Sequence, residues 1–250
     1  MTRSNTPSIR IGIGGWTFEP WRGTFYPKGL TQKRELEYAS SKLSSIEING
    51  TYYSLMKPDS FRKWHEETPD DFVFSLKATK FCTNRRVLAE AGDSIEKFIM
   101  SGVLELKDKL GPINWQFMGT KKFDPEDFGA FLALLPQSVE GRTLRHAVEV
   151  RHESFRDPVF YDMARKHGVA IILGADSKYP CLDEPTASFA YARIMGTKDE
   201  EPLGYSPADL DKWAGAAKQW AADGRDVFLY VIAGAKQHNP AAAMALMERI

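Results

Sequence analysis

Five short apolar segments of this sequence each end in two polar residues that are spaced two positions apart. Residues i and i+2 of a β-strand point to the same side of a sheet. We therefore expect each segment to be a strand that presents a polar pair on one face and apolar side chains on the other. The pairs are Glu47/Asn49, Ser75/Lys77, Asn114/Gln116, Glu149/Arg151 and Tyr191/Arg193.

The charged members of these pairs are able to bind an anion and to transfer a proton. Lys77, Arg151 and Arg193 are cations, and an arginine can hold a carboxylate or a phosphate with two parallel hydrogen bonds. Glu47 and Glu149 can serve as an acid and a base where their environments differ. Lys77 can carry a proton, or attack a carbonyl as a Schiff-base nucleophile where burial lowers its pKa. We predict that Glu47, Lys77 and Glu149 are catalytic.

Other polar and aromatic residues near the same strand ends are predicted to bind the substrate. Asn49 and Gln116 can orient a hydroxyl or a carbonyl group, and Tyr52 follows the second strand closely. Trp16 lies directly after the first strand, where it can form a wall of the site or pack on a helix, and the sequence leaves both interpretations open. The predicted substrate-binding residues are Trp16, Asn49, Tyr52, Gln116, Arg151, Asp176 and Arg193.

Two other interpretations of these residues are open. The charges can simply neutralise one another in a buried network, although apolar residues would stabilise a fold at least as well. Alternatively, Glu47, Glu149 and Asp176 can form a carboxylate site for magnesium or manganese. Three cations close to the same strand ends, and the absence of an H-x-x-x-H pattern, oppose a metal. We predict no metal and no cofactor.

The elements that must position these residues alternate between strand and helix. Apolar, β-branched segments predict eight strands, and proline-led amphipathic segments predict helices between most of them, including one from Ser94 to Leu110. The exception is Gly174 to Ser188, which contains Pro180 and Pro185 and predicts an irregular connection between strands 6 and 7. The strands are predicted to start near Arg10, Ser45, Phe72, Ile113, His146, Ala170, Phe189 and Asp226.

This alternation predicts an α/β protein with a parallel sheet wrapped by helices. Eight strands with polar residues at their C-terminal ends are typical of a (β/α)₈ TIM barrel. An open doubly wound sheet is the competing fold, but Gly12, Gly14 and Gly15 are followed by aromatic residues and not by the phosphate-binding helix of that fold. We expect one domain over residues 1–250, with 1–8 as a loose arm.

Composition limits the environment and the partners. The chain is 43% hydrophobic and 26% charged, as in soluble globular domains. A formal net charge of zero disfavours nucleic acid, although a local basic patch remains open, and no segment is apolar enough to predict a membrane partner. Cys82 and Cys181 are far apart and follow no ligand pattern, which is typical of free thiols in the cytoplasm.

Several of these segments together resemble the YecE-like family, a TIM-barrel family known as domain of unknown function 72. The resemblance implies a barrel but supplies no substrate, because the activity of the family is not established. Met195 stands where the family usually has histidine, and Val231 to Gly234 lack its usual asparagines. The segments are GGWTFEPWRGTFYP, SIEINGTYYSL, FVFSLKATK, LGPINWQF, HAVEVRHESF, GADS and FAYARIMG.

Two functions are compatible with these residues. The first is a metal-independent hydrolase, lyase or isomerase that acts on a small anionic or polyhydroxylated substrate at the C-terminal barrel mouth. The alternative is a protein without catalytic activity, in which the same cationic mouth binds an anion or single-stranded nucleic acid. The sequence does not predict the oligomeric state.

Overall fold

The computed structural model describes residues 6–250 and contains a barrel of parallel strands. Neighbouring strands follow the order β8-β7-β4-β3-β2-β1-β11-β10-β9, and all of these pairs are parallel. The barrel strands are β1 (Ile9–Gly14), β2 (Ser45–Ile48), β3 (Val73–Lys77), β4 (Leu110–Gln116), β7 (His146–Glu149), β8 (Ala170–Ile171), β9 (Leu173–Ala175), β10 (Phe189–Ile194) and β11 (Asp226–Val231). A hairpin of β5 (Ser138–Val139) and β6 (Arg142–Thr143) lies outside the barrel sheet.

The barrel closes through one interrupted strand. β8 and β9 are two parts of the same extended segment, separated by Ile172, whose amide donates to the Val148 carbonyl of β7. β8 pairs with β7 and β9 pairs with β10, so that segment joins the two edges of the sheet. Counted in this way, the barrel has eight strand positions, and the predicted TIM-barrel fold is confirmed.

Helices cover the outside of the barrel. The helices α6, α7 and α8 each open with a proline, as in the predicted proline-led segments. They begin where they do because Asp124, Asp157 and Ser206 accept hydrogen bonds from the first free backbone amides. The helices are α1 (Glu35–Lys42), α2 (Gly50–Tyr53), α3 (Pro58–Glu66), α4 (Lys80–Thr83), α5 (Gly92–Ile99), α6 (Pro125–Leu134), α7 (Pro158–His167), α8 (Pro207–Ala222) and α9 (Asn239–Met247).

The structure differs from the sequence-based expectation in two details. The predicted helix from Ser94 to Leu110 ends early, because Gly102 adopts a φ of 114°, and a 3₁₀ segment over Val103–Lys109 follows. The predicted loose arm does not extend to Ser8, whose amide and hydroxyl both donate to Asp226. Residues 1–5 of that arm lie outside the described residues. The connection after β9 is irregular, as predicted. Within residues 6–250, no helix is long and apolar enough to cross a membrane.

Close approach of β1 to β2 requires glycine at position 12. A Cβ atom on Gly12 would lie 1.8 Å from the backbone oxygen of Ser45, so even alanine would force the two strands apart. We expect Gly12→Ala to lower the free energy of unfolding by about 3 kcal/mol or more. Urea denaturation monitored by circular dichroism measures this change.

Gly215, in the exposed interior of α8, is the matched control because a Cβ there would meet nothing within 4 Å. Gly215→Ala should raise the free energy of unfolding by about 0.5–1 kcal/mol, since alanine favours a helix. Equal effects of the two substitutions would contradict the proposed clash.

Candidate functional site

The centre of the candidate site is a set of ion pairs that cross the inside of the barrel. Arg193 of β10 donates to Glu149 of β7 at 2.5 Å and to Glu47 of β2 at 3.1 Å. All three residues are fully buried or nearly so. Because these strands lie on different sides of the barrel, the contacts show that the predicted polar faces point inward and meet.

Two further inward residues complete the coordination of the carboxylates. The hydroxyl of Tyr191 donates to Glu47 at 2.5 Å, and the amide of Asn114 donates to Glu47 at 3.2 Å and to Glu149 at 3.4 Å. Glu47 thus accepts hydrogen bonds from three side chains. Tyr191 and Asn114 belong to the polar pairs but are not among the predicted site residues, and their spacing is the signal that could have included them.

Arg151 lies above this set, at the opening of the barrel. Its Nε donates to Glu149 at 2.8 Å and its Nη2 donates to Gln116 at 2.9 Å. The guanidinium also lies over the ring of Tyr179, at 4.5 Å from the centroid. The side chain remains 18% exposed, and its Nη1 has no hydrogen-bond partner among residues 6–250. Arg151 is therefore fixed in place, while the edge of its guanidinium that carries Nη1 remains available to a ligand.

Lys77 differs from the other charged residues of the site because its charge is not paired. It is only 7% exposed, yet its Nζ makes no hydrogen bond or ion pair with any residue in the described range 6–250. Its nearest aromatic contact is the ring of Tyr52, at 4.5 Å from the centroid. Burial, together with the positive charge of Arg193, lowers the pKa of Lys77 to about 8 despite the opposing effect of Glu47 and Glu149.

The ionisation of the other groups follows from the same contacts. Burial raises the pKa of Glu149, but the charges of Arg193, Arg151 and Lys77 outweigh burial and lower it overall. Glu149 therefore stays ionised at neutral pH and cannot donate a proton there. Burial and the neighbouring Glu47 carboxylate raise the pKa of Tyr191 well above its usual value, so it remains a neutral hydrogen-bond donor.

A second polar layer lies deeper in the barrel. The hydroxyl of Tyr230 on β11 lies 2.7 Å from the Ser45 hydroxyl and 2.6 Å from the Ser75 hydroxyl. Ser75 therefore belongs to this lower layer, whereas its partner Lys77 lies at the mouth. Tyr230 is not among the predicted residues, although its position two residues after Phe228 is a sign that it faces inward.

Two of the predicted substrate-binding residues lie apart from the cluster. Trp16 packs edge-to-face on Trp64 of α3, with 5.3 Å between ring centroids, and lies close to Phe74. These contacts place it in the layer between strands and helices, as in the packing interpretation. Asp176 is exposed at the rim and accepts from Tyr205 at 3.1 Å, so it does not join Glu47 and Glu149.

The remaining predicted residues lie at the mouth with different contacts. Tyr52 covers Lys77 and exchanges a hydrogen bond with Asn84, whose amide donates to its hydroxyl at 3.2 Å. Asn49 lies beside Gly14 at the end of β1, and no hydrogen bond joins it to the cluster within residues 6–250. Asn84 and Tyr179 are not predicted from the sequence, because both lie in loops without a periodic pattern.

A metal site is not assembled from these groups. Among the residues that the structure describes, no group of three or more histidine, cysteine, aspartate or glutamate side chains is placed to hold a metal ion. Glu47 and Glu149 are instead bound by Arg193. The groups at the mouth that can take part in chemistry are the free edge of the Arg151 guanidinium, which is able to hold an anion, and the Lys77 amine, which is able to transfer a proton.

Comparison with known proteins identifies the family. Residues 10–250 match the family described as "Protein of unknown function DUF72". The chain belongs to this family. It is 29% identical over 147 residues to "UPF0759 protein YecE" of Escherichia coli K12, a match that covers 59% of this chain and 50% of that protein. It is 25% identical over 159 residues to "UPF0759 protein YunF" of Bacillus subtilis, covering 62% and 54% of the two chains. The chain thus spans about half the length of the curated relatives it matches.

Solved structures show the same fold. A DUF72 family protein of Thermotoga maritima superposes with a TM-score of 0.75 at 23% identity, covering 96% of this chain and 97% of that one. A DUF72 family protein of Enterococcus faecalis gives a TM-score of 0.76 at 15% identity, with 98% of each chain covered. A D-psicose 3-epimerase gives 0.50 at 12% identity, covering 94% and 90%. These likenesses establish the barrel and carry no activity to this chain.

The unpaired ammonium of Lys77 should destabilise the fold of this family member. Its folded pKa of about 8 lies below the ordinary value of 10.5, so the unfolded chain binds more protons between these values. The free energy of unfolding therefore rises with pH through that window. Lys77→Met should raise the free energy of unfolding by about 1–3 kcal/mol near neutral pH, and this gain should shrink above pH 8.

Urea denaturation of both proteins across that pH range measures the difference. Lys166→Met, at an exposed position near the end of α7, is the control and should change stability little at any pH. Destabilisation by Lys77→Met at neutral pH would show that the lysine has a stabilising partner.

Proposed function

We propose that the protein is a metal-independent enzyme, a lyase or an isomerase, that moves a proton on a small anionic or polyhydroxylated substrate at the C-terminal barrel mouth. The observation that carries this proposal is the buried amine of Lys77, which lacks a hydrogen-bond or ion-pair partner among residues 6–250. A fold rarely retains an unpaired buried charge unless that group is used. Lys77 lies close enough to the guanidinium of Arg151 for the two charges to interact.

Arg151 is the group that we expect to bind the anionic part of the substrate. Glu149 and Gln116 hold its Nε and Nη2, and stacking on Tyr179 restricts the plane of the guanidinium. A fork that is ordered before binding loses little conformational entropy when it holds a carboxylate or a phosphate. This arrangement would place the ligand close to Lys77.

Lys77 is the group that we expect to accept and return the proton. Because its pKa is about 8, a substantial fraction of the amine is neutral at physiological pH, and a neutral amine is a base or a nucleophile. The proton would pass from a substrate C–H or O–H bond to Nζ, and its return to a neighbouring substrate atom would complete an isomerisation. In an elimination the leaving group would instead depart with its bonding electron pair, and Nζ would give its proton to that group or to water.

The two carboxylates have a supporting role in this proposal. Glu149 is held ionised by its arginine partners, and Glu47 already accepts from Arg193, Tyr191 and Asn114. Neither is suited to protonating a leaving group, as a hydrolase acid must. Their charge instead fixes the two arginines and favours the cation that forms when Lys77 takes up a proton.

A binding protein without turnover is the second candidate. The segment after β11 contributes the aliphatic Ile232 next to Gly14 at the mouth, and Met195 follows β10, so two apolar side chains lie near this side of the opening. The same Lys77 and Arg151 would then hold an anion that is not transformed. Binding of an anion without any proton exchange would favour this candidate.

The proposed reaction predicts exchange of substrate hydrogen with solvent. Incubation of the protein in D₂O with a panel of hydroxy-carbonyl acids and sugar phosphates, followed by proton NMR, should show loss of a C–H signal for one class. Lys77→Met should abolish the exchange while the fold is retained, and the wild-type rate should rise as pH increases through about 8. Borohydride reduction followed by mass spectrometry would reveal a Schiff base at Lys77.

Arg151→Lys separates the effect of the planar guanidinium on ligand binding from the effect of its positive charge. Lysine keeps the positive charge but lacks the planar fork, so ligand affinity should fall about ten-fold or more, with little change in melting temperature because the side chain is partly hydrated. Arg156→Lys, at an exposed pair with Glu153, is the matched control. Exchange that persists in Lys77→Met, or unaltered affinity in Arg151→Lys, would contradict the roles proposed.

A further inference from the structure

A cleft lined by basic residues lies beside the mouth, between the loops that follow β3 and β4. It has a volume of about 490 Å³, and four of its lining residues are Arg85, Arg86, Lys121 and Lys122. None of the described residues that line it is acidic. Clustered cations without carboxylates in the same lining make a surface that attracts an anion.

The four cations differ in how many partners they have within the protein. Lys121 pairs with Asp127 at 2.7 Å. Arg85 donates to the backbone oxygens of Phe81 and Glu90, which leaves its charge without a carboxylate among the described residues. The side chains of Arg86 and Lys122 are exposed and have no hydrogen-bond or ion-pair partner in the range 6–250. The cleft therefore has an excess of positive charge with free donors.

A neutral donor in the same cleft also lacks a partner. Thr83 lines the cleft, is 2% exposed, and its buried hydroxyl makes no hydrogen bond within residues 6–250. An unsatisfied buried hydroxyl destabilises a fold, because the desolvation of its polar group is not compensated. Fold stability alone does not explain its presence, whereas rotation of the side chain toward an anion in the cleft would give the hydroxyl an acceptor.

The cleft is joined to the candidate site by shared residues. Asn84 lines the cleft and donates to the hydroxyl of Tyr52, whose ring covers the Lys77 amine. On the other wall, Gly119 lies against Arg151 and Tyr179, next to the lining residues Met118 and Thr120. The cleft and the candidate site therefore share a boundary.

We propose that this cleft binds a phosphate monoester group, so that the substrate of the neighbouring site is a small phosphorylated molecule whose reacting end lies at Lys77. This proposal rests on the proposed function for the identity of the reacting end, but the phosphate site itself stands on the cleft. A phosphate dianion matches free guanidinium and ammonium groups and accepts from hydroxyl and amide donors. Arg86, Lys122 and Thr83 are the groups that we expect to contact it.

Isothermal titration calorimetry with inorganic phosphate in chloride buffer tests the site without knowledge of the substrate. The double variant Arg86→Ala/Lys122→Ala should weaken phosphate binding at least about ten-fold. Thr83→Val should weaken it by about ten-fold while the melting temperature is retained or raised, because an unsatisfied hydroxyl is removed. A merely structural threonine would lose stability and keep the affinity.

Two control variants distinguish phosphate binding in the cleft from a general effect of charge and from binding at the mouth. The double variant Lys166→Ala/Lys218→Ala removes two exposed lysines outside the cleft and should leave phosphate affinity unchanged, which excludes a general effect of net charge. Lys77→Met removes a cation of the mouth and not of the cleft, so the part of the phosphate binding that depends on Arg86, Lys122 and Thr83 should persist in it. Failure of the proposed reaction and failure of the phosphate site therefore give different results.

Three outcomes would overturn the proposal. The first is the absence of saturable phosphate binding, and the second is phosphate binding that is lost in Lys77→Met and Arg151→Lys but kept in the cleft variants, which would place the anion at the mouth. The third is a single-stranded oligothymidylate that binds with steep salt dependence through the same cleft residues while inorganic phosphate does not, since that result would assign the cleft to a polyanion.

Discussion

The bridge from Arg193 to Glu47 and Glu149 is the interaction on which the rest of the site depends. It joins β10 to β2 and β7 across the interior of a closed barrel, where an unpaired carboxylate would be strongly destabilising. Because Arg193 neutralises only one of its two partners, the set requires further cations. Arg151 supplies the second by pairing with Glu149. The positions of the charged side chains at the mouth thus follow from the charge balance inside the barrel.

That balance also explains why Lys77 has unusual properties. Two carboxylates are matched by two guanidinium groups, so the ammonium of Lys77 is a surplus charge in a buried place, and burial lowers its pKa to about 8. Loss of its proton makes the set neutral, whereas binding of an anion balances the charged form. Protonation of Lys77 and occupation of the mouth by an anion are therefore coupled. A sequence with an apolar residue at this position would avoid the conflict.

Much of this arrangement was accessible from the sequence, because strand geometry is regular. The i, i+2 spacing placed Glu47, Lys77, Glu149 and Arg193 on inward faces, and the parallel order of strands brought them together. Loops have no such period, so the sequence could not decide whether Trp16 packs on a helix, and the isolation of Asp176 at the rim could not be foreseen. The sequence also did not show how deep in the barrel each inward residue lies, since Ser75 and Lys77 share a strand face yet belong to different layers. Which cation pairs with which carboxylate could be read only from the structure.

The two proposed anion-binding features, Arg151 and the basic cleft, are positioned by different parts of the fold. Arg151 is held by the side chains of Glu149 and Gln116, which belong to two barrel strands, so its guanidinium has a defined position. The basic cleft instead lies on loops, where Arg86 and Lys122 are exposed and have no ion-pair partner among the described residues. A rigid inner group and an adaptable outer group suit different parts of one ligand, because the reacting end demands accurate placement and a charged tail demands only attraction. Loops can therefore differ in length and charge around the same barrel without disturbing the ion pairs below.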